Sequence, residues 1–316
     1  MTPLPAPMQA WLAHLAAHRR YSPHTLDGYG RDLAKLVELA PDTALDQISP
    51  AQCRLFMATW HEKGLGSRSL ARMLAAWRGF YQWYAPGAGM PGNPVAGLRA
   101  PKAPRGLPKA MSVEQTQALL DRPQATVSQD PVALRDQAML ELFYSSGLRL
   151  SELVSLDVVF VREPAHTSQG WLNLPDNEVV VLGKGSKRRT VPVGRQARAA
   201  LQAWIDVRSR LLNARSDAGD VAALFLGARG ARISPRVVQL QLGRIAQQAG
   251  LPTHLHPHVL RHSFASHMLQ SAQDLRAVQE LLGHANITTT QVYTRLDFQH
   301  LAQVYDRAHP RANRKS

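Results

Sequence analysis

A segment dense in proline and glycine interrupts the sequence between residues 86 and 108 and divides it into two parts. No helical or strand-like pattern of apolar residues continues through it, and basic residues lie within it. This composition predicts a semi-extended basic connection, which could follow a phosphate backbone or serve only as a spacer. A chain of 316 residues is usually two domains. We expect domains at 1–100 and 112–316, joined by a linker at 101–111.

The first part repeats the apolar spacing of amphipathic helices, with steps of three and four residues. Ser22-Pro23 and Ser49-Pro50 each combine an N-cap residue with proline at the first helical position. A short helix around Trp11–Leu15 and a longer one over Leu70–Tyr84 complete a bundle of about four helices. We interpret the aromatic residues of the last helix as core rather than as a platform for stacking bases.

The second part combines helical patterns with one β-hairpin. Strands are expected at Glu178–Leu182 and Thr190–Val193, on either side of a polar turn from Gly183 to Arg189. Helices are expected at 131–145, 194–213, 234–249, 257–270, 273–283 and 286–306. The predicted fold class is therefore mainly α with a small β-sheet.

The chain is strongly basic, with 37 Lys and Arg against 23 Asp and Glu and a net charge of +14. Each side of residue 110 carries +7, so the excess is not confined to a tail. A polyanionic partner is indicated, and nucleic acid is the first choice. Ordinary solubility charge and an anionic membrane surface are the alternatives.

Several classes of protein do not fit this composition. The only cysteine, Cys53, excludes an internal disulfide framework and a cysteine-based zinc site. The sequence contains no apolar run of the length that a membrane-spanning helix needs, and its first residues do not resemble a signal peptide. A reducing, cytoplasmic setting fits these features.

Two cations stand beside glycine turns, where a chain can approach a bound anion closely. Arg149 begins a predicted helix after Gly147, where it could hold a phosphate or pair with Glu152. Lys184 lies at the predicted hairpin tip, without the spacing of a P-loop. Because the chain has 30 Arg and only 7 Lys, lysine here suits proton transfer. A solvated charged turn stays open as the alternative.

Four further candidates lie near the end of the sequence. His258 and Arg261, three residues apart on a predicted helix, would face the same side and suit phosphate binding with proton transfer. His284 follows a glycine that should end a helix. Tyr293 would need its proton removed, or cations beside it, to act as a nucleophile. Structural roles are the alternatives for each residue, and a metal site at the histidines 254, 256 and 258 is a weaker one.

Together these six side chains match what metal-free phosphodiester cleavage requires. Two arginines would balance the charge on the non-bridging oxygens. A histidine could act as base toward the tyrosine, and a lysine as acid toward the departing oxygen. No cluster of acidic residues indicates a two-metal nuclease, and we expect no cofactor.

The strings around these residues resemble the tyrosine recombinases of the phage integrase family. They are SGLRLSEL (146–153), GKGSK (183–187), HPHVLRHSFA (256–265), LLGH (281–284) and YT (293–294). RYSPHT (20–25) resembles the Xer branch of that family. The resemblance runs over nearly the whole chain.

The resemblance implies an N-terminal SAM-like core-binding domain and a C-terminal α+β catalytic domain that clamp DNA. It implies that Tyr293 forms a 3′-phosphotyrosyl link, that Arg149 and Arg261 hold the phosphate, and that Lys184 is the general acid. His258 would assist proton transfer and His284 would bond the phosphate. The implied setting is a heterotetramer with a XerD-like recombinase on a dif-like DNA site, regulated by an FtsK-like translocase during chromosome dimer resolution.

Other readings within and beside the family stay open. They are a XerD-type paralogue, a plasmid or phage integrase, a non-catalytic DNA-binding accessory protein and a type IB topoisomerase. The segment after Asp297 resembles a tail that docks on a neighbouring protomer. Between Arg149 and Lys184 the chain is longer than the family pattern, and we interpret Val161–Asp176 as a surface insertion ahead of the hairpin.

Overall fold

The computed structural model describes residues 3–19, 21–102, 110–121, 129–183, 188–251, 255–271 and 309. The chain divides into two compact units, Met1–Leu107 and Pro108–Ser316. Described residues are mainly helical with a small sheet, as predicted. No helix among them is both long and apolar enough to span a membrane.

Four helices build the first unit, and local capping sets where two of them begin. The helices are α1 (Ala6–Arg19), α2 (Pro23–Leu39), α3 (Pro50–Glu62) and α4 (Ser67–Tyr84). The Ser22 hydroxyl accepts a hydrogen bond from the Thr25 N–H at 3.3 Å. Ser49 and Gln52 form a reciprocal capping box. Both predicted starts are confirmed. Helix α1 is longer than the short helix predicted around 11–15, because the flanking alanines favour a helix without adding to its apolar pattern.

The aromatic residues of α4 form the core of this unit. Trp77, Phe80 and Tyr81 are fully buried, and the Trp77 indole N–H donates to the Asp32 carbonyl of α2 at 2.7 Å. Trp11 of α1 stacks on Tyr29 at 5.7 Å between ring centroids. The interpretation of this stripe as core is confirmed.

The beginning of the proline- and glycine-rich segment belongs to this core and is not a connection. Val95 and Leu98 are buried in it. The Asn93 side chain donates to the Arg78 carbonyl at 2.9 Å, and Arg78 donates to the Leu98 carbonyl at 2.7 Å. The prediction that the segment is semi-extended from residue 86 onward is therefore wrong for residues 86–100, because two buried apolar side chains, Val95 and Leu98, anchor them to the core. These residues lie within the domain expected at 1–100. Residues 103–109 lie outside the described part.

The second unit is built around one central helix. Its described helices are α5 (Val113–Leu120), α6 (Pro131–Ser146), α7 (Leu150–Val154), α8 (Arg195–Arg208), α9 (Ala218–Ala222), α10 (Pro235–Gln248) and α11 (Pro257–Ser271). Residues 138–146 of α6 are all buried, as expected of a helix enclosed by others. The helix predicted at 194–213 ends at Arg208 and continues as one 3-10 turn, Ser209–Leu211. The helices predicted at 273–283 and 286–306 lie outside the described residues.

A four-stranded sheet flanks this helical core, in the order β1-β4-β5-β6. The strands are β1 (Leu156–Asp157), β4 (Gly170–Asn173), β5 (Glu178–Leu182) and β6 (Arg188–Pro192). β1 and β4 are parallel and the other pairs antiparallel. The pairing of β5 with β6 is confirmed, but β6 begins two residues earlier than predicted, since Arg188 and Arg189 already pair with Leu182 and Val181.

The segment 161–176 is only partly a surface insertion. β2 (Arg162–Glu163) and β3 (His166–Thr167) form a small exposed ladder. β4, in contrast, is an interior strand of the main sheet, with Leu172 buried in the core. The prediction for Val161–Asp176 is therefore wrong for its second half, where a four-residue strand is too short to give a clear pattern.

Candidate active site

Helix α6 ends at a glycine that no other residue could replace without strain. Gly147 has φ of +54°, the left-handed region that favours glycine. A Cβ built there would lie 2.4 Å from the Phe264 ring of α11. The turn therefore brings the end of α6 against α11 and directs the chain into α7.

Arg149 lies directly before α7 and is held by Glu152. The Arg149 backbone N–H donates to Oε2 of Glu152 at 2.7 Å, and Nη1 donates to Oε1 at 2.8 Å. The Glu152 side chain is 4% exposed, whereas that of Arg149 is 35% exposed. Arg149 therefore pairs with Glu152, one of its two predicted roles, and this pairing fixes a partly exposed guanidinium in one orientation.

A second arginine, Arg189 of β6, holds the same carboxylate from the other side. Nη1 donates to Oε1 of Glu152 at 2.7 Å and Nη2 donates to Oε2 at 2.9 Å. Both side chains are buried. Burial raises the pKa of Glu152, but Arg189 first and Arg149 second outweigh it, so the pKa lies below its ordinary value.

Arg261 joins this group from α11. Its guanidinium donates to the Gly147 carbonyl, which ties α11 to the turn ahead of Arg149. Burial, and then the nearby charge of Arg149, lowers the pKa of Arg261 to about 10. It therefore stays protonated at neutral pH. The structure thus brings Arg149 and Arg261 near each other, and the roles assigned to them stay predictions.

His258 lies one turn before Arg261 in α11 and is exposed. The helix begins at Pro257, as predicted. Lys184, His284 and Tyr293 lie outside the described residues, and their roles stay predictions. Among the residues that the structure describes, no group of three His, Cys, Asp or Glu could hold a metal ion.

Hydrogen bonds fix the end of α6 against its neighbours. The Ser146 hydroxyl donates to the Pro192 carbonyl at 2.9 Å, and the Gly194 N–H donates to the Ser145 hydroxyl at 2.8 Å. Tyr144 and His267 of α11 share a hydrogen bond of 2.9 Å, while Nε2 of His267 donates to the Met111 carbonyl at 2.8 Å. His267 therefore accepts from Tyr144 through Nδ1.

One residue of the C-terminal segment belongs to the described part. His309 is buried, and its Nε2 donates to the Tyr144 carbonyl at 3.2 Å. Its ring lies 4.9 Å from Tyr144 and 5.7 Å from Phe264, measured between ring centroids. This residue thus packs on its own chain, on the side chains that border the Gly147 turn.

Glu152 and Arg189 contact the cluster around Arg149, but they are not among the six candidates from the sequence. The sequence indicates Glu152 only as an alternative partner of Arg149, and Arg189 only as the last residue of a polar turn. Strand alternation could have indicated that Arg189 is buried. Arg189 pairs with Val181, and paired residues lie on the same face of the sheet, which is the buried one here. An arginine on that face needs an acidic partner.

Arg149, Arg189 and Arg261 surround a single carboxylate, and the four groups carry a formal net charge of +2. A phosphodiester carries one negative charge, and two develop when a fifth oxygen adds to its phosphorus. A preorganised positive group of this kind binds the doubly charged, five-coordinate species better than the singly charged phosphodiester. This difference in binding lowers the reaction barrier.

Comparison with protein families gives two matches that together span most of the chain. Residues 109–300 match the phage integrase family, and residues 8–85 match the phage integrase N-terminal SAM-like domain. Tyrosine recombinase XerC of Ralstonia pickettii is 55% identical over 313 residues, with 97% of this chain and 94% of the relative covered. Tyrosine recombinase XerC of Pseudomonas aeruginosa is 50% identical, with 98% and 96% covered.

Solved structures have the same fold. XerH recombinase in a post-cleavage complex with palindromic difH substrate matches with a TM-score of 0.64 and 22% identity, covering 91% of this chain and 81% of that one. The Tn1549 transposon integrase with circular intermediate DNA matches with a TM-score of 0.65 and 17% identity, covering 93% and 98%. The family matches and the near-full-length identities lead to one conclusion: the chain belongs to the phage integrase family and is a tyrosine recombinase of the XerC type.

Proposed function

We propose that Arg149, Lys184, His258, Arg261, His284 and Tyr293 form one active site that cuts and rejoins DNA. Arg149 and Arg261 hold the non-bridging oxygens of the scissile phosphate, and His284 adds a hydrogen bond to it. The arrangement of Arg149, Glu152, Arg189 and Arg261 is the observation that supports this assignment, because it offers a fixed net positive charge to a phosphate.

The reaction is a transfer of one phosphodiester bond. The Tyr293 oxygen forms a bond to phosphorus, and the bond from phosphorus to the 5′ oxygen breaks. His258 helps remove the phenol proton, and Lys184 donates a proton to the departing oxygen. The 5′-hydroxyl of the partner strand then attacks the 3′-phosphotyrosyl ester and releases Tyr293. Because the ester retains the energy of the broken bond, no ATP is consumed.

Each unit has features suited to double-stranded DNA. In the first unit, a cavity of about 370 Å³ is lined in part by Arg68, Arg78 and Arg99. Arginines can contact phosphates in pairs of hydrogen bonds, and both parts of the sequence are equally basic. We assign 1–100 to core binding, 101–111 to a linker and 112–316 to catalysis, with a docking tail at the C-terminal end.

The cellular role follows from the type of recombinase. We propose that the chain acts in the cytoplasm with a XerD-like recombinase in a heterotetramer. Its DNA would be a dif-like site, where an FtsK-like translocase regulates the resolution of chromosome dimers. The high identity to XerC recombinases over nearly the full chain supports this role. The XerH complex, in which a recombinase of the same fold is bound to difH substrate, supports a DNA site of the dif kind.

Covalent trapping tests the proposal directly. Labelled dif-like duplex, nicked near the cleavage point, is incubated in EDTA with wild type or with Tyr293→Phe and then run on a denaturing gel. A protein–DNA band in wild type only is the expected result. A band of equal strength with Tyr293→Phe would overturn the assignment of the nucleophile.

A partner arm separates inactivity from a missing subunit. If wild type binds the DNA without forming a band, the XerD-like recombinase is added. A band that then appears only with wild-type Tyr293 supports the heterotetramer. If none appears, the catalytic assignment is wrong.

A further inference from the structure

Two consecutive arginines of β6 have opposite environments. Arg188 is exposed, and its guanidinium lies 5.3 Å from the Trp171 ring. Arg189 points to the other face of the sheet, where its side chain is only 8% exposed. Strand alternation separates them, so one position faces solvent and the other is inside the protein.

The contact of Arg189 with Glu152 differs from an ordinary surface salt bridge. Its two hydrogen bonds, of 2.7 and 2.9 Å, use both oxygens of a carboxylate that is 4% exposed. Burying such a pair costs desolvation that its attraction often fails to recover, so stability alone is a weak reason for it.

Glu152 connects this pair to the phosphate-binding side. The same two oxygens accept the backbone N–H and Nη1 of Arg149. Without Arg189, the buried carboxylate would be left with Arg149 as its remaining close partner and would pull that guanidinium toward itself. With Arg189 in place, the negative charge is shared, and Arg149 keeps its partly exposed position.

We propose that Arg189 is a positioning residue, which acts through Glu152 to hold the Arg149 guanidinium in the orientation that the scissile phosphate requires. The proposal rests on the proposed function of Arg149. It also links β6, which follows Lys184 in the sequence, to the Arg149 side chain.

Charge balance gives the direction of the effect. The group of Arg149, Arg189, Arg261 and Glu152 carries a formal net +2, and Arg189→Gln lowers it to +1. The transition state, with two negative charges, loses more electrostatic stabilisation from this change than the bound substrate, which has one. Cleavage should therefore suffer more than DNA binding.

The first experiment measures covalent-complex formation in single turnover on nicked DNA. We expect Arg189→Gln to slow it on the order of 10- to 100-fold, as losing a group that orients a ligand does elsewhere. DNA affinity should change by less than about twofold, because Arg189 is one buried charge in a basic chain. Cleavage at the wild-type rate would overturn the proposal. Failure of wild type even with the XerD-like recombinase present would instead refute the proposed function.

Arg208→Lys is the matched control. Arg208 is also 8% exposed, but it bonds main-chain carbonyls of Ala223, Asp220 and Val221. Arg208→Lys is compared with Arg189→Lys, so that the same substitution is made at two buried arginines. We expect Arg189→Lys to slow cleavage and Arg208→Lys to leave it unchanged. Equal slowing by both variants at equal thermal stability would contradict a specific role.

A neutral substrate separates positioning from a merely structural role. Replacing one non-bridging oxygen of the scissile phosphate by methyl removes one negative charge, so the transition state needs less charge stabilisation from Arg149. If Arg189 acts through the charge contact, the ratio of the wild-type cleavage rate to the Arg189→Gln rate should be at least about tenfold smaller on this methylphosphonate than on the phosphate. An unchanged defect on both substrates would overturn the proposal.

The double variant Glu152→Leu with Arg189→Met covers the case in which the single variants fail to fold. Replacing both members of a buried pair by apolar residues is often tolerated, and Arg149 and Arg261 still supply +2. We expect a folded protein that cleaves slowly because Arg149 is no longer held. Wild-type cleavage by this variant would refute positioning.

Discussion

At the scale of single residues, the site depends on one glycine as much as on its arginines. Gly147 ends α6 in the left-handed region, approaches Phe264, and presents its carbonyl to Arg261. The conformation was predictable, because a glycine after an apolar run commonly stops a helix. The carbonyl's partner, 114 residues away, was not, since only tertiary packing brings them together.

Gly147→Ala tests this glycine. We expect it to lower the free energy of unfolding by at least about 2 kcal/mol, from the backbone conformation and the clash with Phe264. Urea unfolding provides the measurement. Gly243→Ala in α10 is the control, because a Cβ there meets nothing within 4 Å, and it should stabilise by about 0.5–1 kcal/mol. A neutral effect at residue 147 would contradict the described turn.

Arg189→Gln also has a predicted pH dependence. In wild type the pKa of Glu152 is depressed, so its contribution to stability is present above the unfolded pKa and is lost as pH falls through the folded pKa. In the variant, burial remains while the strongest cation is gone, so the pKa should rise. Arg149 and Arg261 are the remaining cations near it.

The stability difference between wild type and Arg189→Gln should therefore be largest near neutral pH. It should shrink as pH falls from the raised pKa of Glu152 in the variant to its depressed pKa in wild type, because below both values the carboxyl is neutral in either protein. Urea unfolding at several pH values measures it. A difference that stays constant with pH would show that Glu152 is not the group affected.

At the scale of elements, sequence patterns predict the helices well and the sheet only in part. Capped helix starts depend on neighbouring residues, so Ser22 and Ser49 cap helices where they were expected to. β1 and β4 have two and four residues, too few for a pattern. The burial of Arg189 depends on register with Val181, and the anchoring of 86–100 depends on buried apolar side chains within it. These are tertiary facts that local signals do not contain.

The β2–β3 ladder is held by a buried carboxylate that belongs to β1. Asp157 is fully buried, accepts from Arg232 at 2.6 Å and bonds His166 at 2.8 Å. Asp157→Asn is expected to lower the free energy of unfolding by about 3 kcal/mol, because it leaves a partner unpaired. DNA cleavage by the folded fraction should be unchanged, which trapping on nicked DNA measures.

Asp176→Asn is the control for this change, since Asp176 makes an exposed hydrogen bond with Asn173. It should alter stability by less than about 0.5 kcal/mol. Equal effects at both positions would mean that the contacts of Asp157 contribute little.

At the scale of the whole molecule, the charge is spread over both parts of the sequence. Affinity for DNA should therefore come from many contacts, and it should fall steeply as salt rises, on the order of 1,000-fold between about 50 and 200 mM. Titrations of labelled duplex at several salt concentrations measure this slope.

Arg149→Ala and Arg261→Ala separate this diffuse attraction from the chemistry. Each removes one charge among many, so the salt slope should fall by about one unit or less. Cleavage should fall on the order of 100-fold or more. Equal losses of binding and cleavage would contradict the assignment of these residues to the transition state.

The hydrogen bond from Arg261 to the Gly147 carbonyl has a consequence for how such a protein can evolve. The same guanidinium binds the carbonyl at the end of a core helix and is proposed to hold the phosphate. A mutation at residue 147 or 261 is therefore expected to lower catalytic activity and folding stability together, because each residue contributes to both. A lineage that abandoned catalysis while keeping the fold would have to replace the turn and the arginine together.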